Sequence, residues 1–197
     1  MPAKKDASFS TNRRERIVLT ATEVFLRYGF ARATLGDIAE AAGISRPALY
    51  LVFPGKEEIF AAVLRTLVED QITRYRAALP RFKTLKNRLL YCTEQWVLAG
   101  YRMTASHPDA RDAFNMAYPA VRDMYDVITS FFAELLQDAV AASPLPISAK
   151  ELASMHIFSL RGMKELAGSE EMMQRIIAHQ VQLVLAALGR RQTTTGD

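Results

Sequence analysis

The chain has one cysteine, Cys92, in 197 residues. A single thiol excludes an internal disulfide and fits a reducing cytosol. Cys92 lies within a helical pattern and reads as a small buried hydrophobe rather than a reactive thiol. Histidine is nearly as scarce. His107, His156 and His179 stand far apart, and with one cysteine they give no recognisable metal spacing. Glycine and proline are few, nine and eight, and the prolines sit near apparent helix ends. No stretch alternates with period two for long enough to make a sheet, so the expected class is all-α. No apolar run approaches a membrane span. The opening MPAKKDASFS has two lysines and no apolar run behind them, so no secretory signal is expected. A glycine-rich phosphate loop and a nucleophile elbow are both missing. Neither a cofactor nor an enzymatic activity is expected, and the expected location is the cytoplasm.

What is present is a large apolar fraction and an uneven charge. Half of the residues are hydrophobic, which makes the chain globular and able to fill one or two domains. Residues 1–56 carry nine Lys/Arg against five Asp/Glu, the whole of the net +4. The remaining residues carry sixteen of each sign. An excess of positive charge confined to one part is the electrostatic footprint of a surface that meets phosphates.

That basic part contains the stretch around which the chain is organised, Thr34 to Phe53, TLGDIAEAAGISRPALYLVF. Thr34 is a good N-cap, and Asp37 stands three residues on, at the capping-box position. Ile38, Ala41 and Ala42 recur at helical spacing. Gly43 sits where the first helix stops and the chain turns. Ser45 caps a second short helix with Pro47 in its first turn. Leu49 points to the core, and Arg46, Ala48 and Tyr50 are left outside. Two short helices, a tight turn and a polar outer face make a helix-turn-helix, whose second helix enters the major groove of DNA.

The rest reads as helices with their caps. One runs from about Arg13 to Tyr28 behind Ser10 or Thr11, with Ile17, Val18, Ala21, Val24 and Phe25 as its apolar face and Gly29 at its end. Arg13, Arg14 and Arg16 crowd its start, where the helix dipole disfavours cations and a nearby polyanion would suit them. Further helices are expected over about 56–79, 84–106, a short 110–117, 119–142, 148–167 and 169–188. Ser148 with Glu151 and Ser169 with Glu170 and Glu171 mark two of the starts. That gives about nine helices: a helix-turn-helix domain at 10–56, a larger helical domain at 57–189, and loose tails at 1–9 and 190–197.

The stretch YGFARATLGDIAEAAGISRPALYLVFPGKEEIFAAVL resembles the N-terminal domain of TetR-family transcriptional repressors over about residues 10–64. The resemblance implies DNA contacts from Thr34, Ser45, Arg46, Pro47, Ala48, Tyr50 and Lys56. Thr34 and Lys56 would hold backbone phosphates at the two ends of the motif. Tyr50 would touch phosphate through its hydroxyl, and Arg46 would reach base edges, where guanine O6 and N7 suit a bidentate arginine. Many members carry a second aromatic and a histidine where this chain has Leu51 and Val52, so two polar contacts are missing. The resemblance further implies a homodimer on a palindromic duplex-DNA operator and release by a small-molecule effector of unknown identity, with no membrane partner. The middle helices would form the effector pocket, with Tyr91, Trp96, Tyr101, Phe114, Tyr118, Tyr125 and Phe131 as the lining expected for an apolar or aromatic ligand. The last two helices would pair with a second copy through Met155, Phe158, Met173, Ile177, Val181, Val184 and Leu188. The final helix carries more apolar surface than one core-facing stripe requires.

Overall fold

The computed structural model describes residues 3–164 and 166–189, with side chains from residue 12 onward. The expected tail at 190–197 lies outside the described residues. Eight α-helices are present among them: α1 Ala3–Arg32, α2 Leu35–Ala41, α3 Arg46–Tyr50, α4 Lys56–Ala78, α5 Leu85–Ser106, α6 Pro119–Ala141, α7 Ala149–Lys164 and α8 Glu170–Gly189. Two 3-10 helices, Leu79–Arg81 and Pro108–Phe114, complete the set, and no strand occurs among the described residues. The all-α expectation therefore holds. Helix α1 begins well before the expected start near Arg13 and takes in residues 3–9, which had been expected as a loose tail.

The starts of the helices are set locally. Thr34 Oγ1 accepts the Asp37 amide while the Asp37 carboxylate accepts the Thr34 amide, a complete capping box. Ser148 and Glu151 repeat the pattern at α7. The Ser45 hydroxyl accepts the Ala48 amide, and Ser169 accepts the amide of Met172. Each such cap satisfies backbone N–H groups that the helix itself leaves without partners. Gly43 has φ 62 in the turn between α2 and α3, a conformation that a residue with a Cβ adopts only at a cost.

The chain forms two compact units, and their boundary differs from the one expected at 56/57. The first unit ends at Glu69, inside α4, and also includes Thr104–Met124 from the connection between α5 and α6. Asp70–Met103 and the chain from Tyr125 onward make the second. The shift has a physical basis, since α4 continues without a break past residue 57 and the 3-10 helix Pro108–Phe114 packs on α1.

In the first unit the core is the expected face of α1, Ile17, Val18, Ala21, Val24 and Phe25, against Ile38, Leu49, Phe53, Ile59 and Phe60, all buried. Rings of Phe25, Phe30, Phe60 and Tyr118 meet edge-on or tilted at 4.4–6.1 Å. In the second unit Leu89, Ile128, Phe132, Leu136, Ile157 and Ile177 are buried. Cys92 lies with them, its thiol pushed up to about 12 by burial, so it serves as a small hydrophobe as expected.

Candidate nucleic-acid interface

Helix α3 is only five residues long, too short to hold itself together. It is held by its Ser45 cap and by burial of Leu49 and Phe53, with 0% and 1% of their surface exposed. The face opposite those anchors is open. Ser45, Arg46, Pro47 and Tyr50 are exposed and Ala48 is half-exposed. Ser45 Oγ accepts the Ala48 amide at 3.3 Å and keeps its hydroxyl proton to donate. The Arg46 guanidinium lies back over the first turn of α2, so close that a Cβ on Gly36 would stand 3.0 Å from its Nη2. Its charge there adds to the pull of the Thr34 hydroxyl and amide, which hold the Asp37 carboxyl below its ordinary range. Leu51 is 83% exposed beside Tyr50, so the side chain at the expected second-aromatic position is an apolar group facing solvent.

Two of the seven expected DNA contacts are differently employed. Lys56 Nζ donates to three backbone carbonyls, Phe30 O at 2.8 Å, Ala31 O at 3.3 Å and Ala33 O at 2.9 Å, and lies 4.6 Å from the centre of the Phe30 ring. An ammonium has three N–H donors, and all three are used. In place of the expected phosphate, Lys56 here clasps the corner between α1 and α2. Thr34 is exposed, but its single hydroxyl proton goes to Asp37 Oδ2 at 2.7 Å, so a phosphate would have to displace the cap. Because α1 starts at Ala3, the three arginines expected at its start lie well inside it, and Arg14 is turned over the ring of Phe53, 4.1 Å from its centre.

The corner that Lys56 clasps has a second clasp that sequence reasoning missed. Gly29 bends α1 with φ 75 and ψ 169, and the next two amides turn outward to Asp112. Phe30 N donates to Oδ1 at 3.1 Å and Ala31 N to Oδ2 at 2.7 Å. Arg32 pairs with Asp109 of the same 3-10 helix at 2.6 Å. Carbonyls of the corner are thus held by a cation and amides by an anion, from two distant parts of the chain. Nothing local marks Asp112 for this, since it stands 82 residues from Phe30.

The expected effector lining is dispersed. Phe114 and Tyr118 belong to the first unit, apart from the other five, and Tyr118 packs 4.6 Å from Phe30 in that unit's aromatic core. The other five are in the second unit. Tyr91 packs between Tyr75 and Phe82, and Phe131 is buried against Tyr75. Trp96 meets Tyr125 edge-on at 6.1 Å, and Tyr125 stacks on Phe158 at 5.4 Å. The Tyr101 hydroxyl points to Ala167 O. A separate cleft of about 700 Å³ opens in the first unit among Glu23, Arg27, Glu40, His107 and Asp109, and none of the seven expected residues lines it.

The expected pairing surface is corrected too. Met173, Ile177, Val181 and Val184 are 0–4% exposed. They are the core of their own protomer and have no surface left for a second copy. Leu188 is half-buried. Met155 and Phe158 are open, 64% and 42% exposed, as are Leu166 and Leu183 at 77% and 65%.

Two capped helices joined by a glycine turn, with a short second helix turned outward, form a helix-turn-helix, the design whose second helix enters the major groove of DNA. Residues 17–63 match the model of bacterial regulatory proteins, tetR family, so that part of the chain is similar to the family's N-terminal domain. Over 82 residues it is 35% identical to the transcriptional activator FasR of Mycolicibacterium smegmatis, a match covering 42% of this chain and 37% of FasR. Over 94 residues it is 30% identical to the probable acrEF/envCD operon repressor of Escherichia coli, covering 45% and 42%. Less than half of either relative's length is therefore matched. The fold as a whole is similar to that of FadR from Bacillus subtilis, solved in complex with stearoyl-CoA, with TM-score 0.66, 15% identity and 88% and 98% of the two chains covered. Among the described residues no helix is long and apolar enough to cross a membrane.

Proposed function

We propose that this chain is a transcriptional repressor that binds a palindromic operator as a homodimer and is released by a small, mainly apolar or aromatic effector. The observation that carries the reading is the outward face of α3, with Arg46 and Tyr50 exposed on a rigidly anchored short helix in the part that holds the chain's excess positive charge. Arginine reads guanine edges, and tyrosine and serine hydroxyls position on phosphate. Pairing is supported by the apolar groups left open on α7 and α8, Met155, Phe158, Met163, Met172 and Leu183. Exposed apolar surface of that kind finds its outlet in a twin, which sets two copies of α3 on successive major grooves. The acyl ligand of the Bacillus subtilis fold neighbour supports an effector with a large apolar part.

Fluorescence anisotropy on the DNA upstream of its own gene, with random duplex as competitor at two salt concentrations, tests the reading. Competitor-resistant, salt-dependent binding supports it. Arg46→Ala is expected to keep binding but relax the choice at one base pair by about 1–3 kcal/mol. If Arg46→Ala and the wild type select the same site from a random pool with equal stringency, Arg46 does not read bases. Leu183→Glu places a carboxylate on the proposed pairing face and raises the dimer dissociation constant at least about a hundredfold, as measured by sedimentation. A dimer that survives that change pairs elsewhere. The alternative, a ligand-binding protein or enzyme of this fold that has lost specific recognition, draws on the apolar Leu51 and the occupied Lys56. It predicts no preference over random duplex for any sequence in the pool.

A further inference from the structure

Setting tyrosine and cysteine aside, only three polar side chains are fully buried among the described residues: Thr93, Thr129 and His156, with 0%, 2% and 0% exposed. All three belong to the second unit, one on each of α5, α6 and α7. Chance placement in an apolar core would scatter them. Instead Thr93 Oγ1 lies 2.9 Å from His156 Nε2, and the ring of Phe132 on α6 is 5.7 Å from the imidazole. Tyr125, Thr129 and Phe132 are spaced i, i+4 and i+7, so Thr129 shares the face of α6 that meets α7. One hydrogen bond does not account for the set. The Nδ1 of His156 and the hydroxyl of Thr129 are buried with no partner, and a buried polar atom without a partner counts against the fold. Native cores keep such atoms where something else satisfies them.

We infer that Thr93, Thr129 and His156 form the polar anchor of an interior binding site for a small neutral molecule, mainly apolar, carrying one hydroxyl or carbonyl group. This rests on the effector-responsive reading above and narrows it. The walls are apolar and aromatic, Phe132 and Tyr125 with Trp96 and Phe158 behind Tyr125. No charged side chain is buried among the described residues to balance an ionic guest. Burial pushes the His156 imidazole down to about 4, so it is neutral at physiological pH. Whichever tautomer it takes, Nδ1 is left to donate or accept one hydrogen bond, and the Thr129 hydroxyl can do either. An ionised group at the anchor itself would meet only neutral partners, since the half-buried Arg161 is engaged over the Tyr125 ring, 5.7 Å from its centre. Because the anchor is fully enclosed, a guest must part α5, α6 and α7, so the loaded form is packed differently from the empty one. That difference is what an effector needs in order to shift a population.

Calorimetric titration of the full chain at neutral pH with three matched probes, 4-propylphenol, 4-propylbenzoate and 4-propylbenzylammonium, tests this. Binding of the phenol with no comparable binding of the two ions supports the site. In Thr129→Val the partnerless hydroxyl becomes a methyl of the same shape. The variant is expected to melt higher than the wild type and to bind the phenol about tenfold more weakly, the equivalent of one hydrogen bond. Unchanged phenol affinity in Thr129→Val overturns the assignment, as does equal binding of the ions or no binding of any probe. A higher melting point without loss of affinity also overturns it and leaves Thr129 as a purely structural defect. DNA anisotropy on the same preparation keeps the two readings apart: lost DNA recognition leaves phenol binding intact, and failed phenol binding leaves DNA recognition standing.

Discussion

Lys56→Ala is expected to lower the melting temperature and to leave the salt dependence of DNA binding as it was. The ordinary expectation for a lysine at the edge of a DNA-binding motif is the reverse. A lysine that neutralises a phosphate contributes a slope of about 0.9 in log affinity against log salt, and its removal flattens that slope. Here the ammonium already serves Phe30 O, Ala31 O and Ala33 O and stands over the Phe30 ring. Cutting it away leaves three carbonyls at the α1–α2 corner, two of the bonds being part-buried, without their charged donor. Hydrogen bonds to charged groups are worth about 1.5–3 kcal/mol each, and water recovers part of that at the exposed Ala31 carbonyl. A net loss of about 2–4 kcal/mol lowers the melting temperature by about 5–15 °C in a chain of this length. Thermal denaturation gives the first quantity and anisotropy at several salt concentrations the second. A slope flattened by about one with an unchanged melting point returns Lys56 to the DNA backbone.

Gly29→Ala produces the larger loss. At φ 75 and ψ 169 the residue lies in a region that glycine alone occupies without strain, and any side chain there costs about 1–3 kcal/mol. The space is also taken. A Cβ would collide with the backbone carbonyl oxygen of Asp109 and with the carboxylate of Asp112. The carboxylate can swing away, but only by releasing the amides of Phe30 and Ala31. The carbonyl oxygen cannot move without shifting the 3-10 helix. Strain, overpacking and lost hydrogen bonds together come to about 4–6 kcal/mol. Denaturant titration of Gly29→Ala, Asp112→Ala and the double variant separates them. The double variant is less destabilised than the sum, because both single changes lose the same two amide bonds and the collision with the Asp112 carboxylate cannot form once residue 112 is alanine. Simple additivity would mean that Asp112 and Gly29 do not act on one corner.

These two residues also mark how far the sequence could be read. The helix-turn-helix was legible because its determinants are local: Thr34 and Asp37 are three residues apart, Ser45 and Ala48 likewise, and Gly43 sits in the turn itself. The roles of Lys56 and Asp112 were not, because their partners lie 23–26 and 81–82 residues away and no pattern in a linear chain marks such pairs. The boundary within α4 escaped for a related reason, since a helix that crosses from one unit to another carries no break in its periodicity. The last helix shows the limit of amphipathic reasoning. Its two apolar stripes were visible, yet composition could not say which one the protomer keeps. Met173, Ile177, Val181 and Val184 went inward, while Met172 and Leu183 stayed out. The polar anchor of Thr93, Thr129 and His156 was equally illegible, because threonines and a lone histidine at helical spacing look the same whether they face water or each other.

The return of Thr104–Met124 to the first unit bears on how this chain can be recombined. The function proposed above invites grafting, a DNA reader from one chain fused to a sensor from another. A seam at residue 56 or 57 would carry away Asp109 and Asp112 with the sensor and leave the bend at Gly29 facing whatever the donor supplies there. The reader is not a prefix of the chain. It is written in two passages, and a functional hybrid must transplant both together with the α4 stem between them.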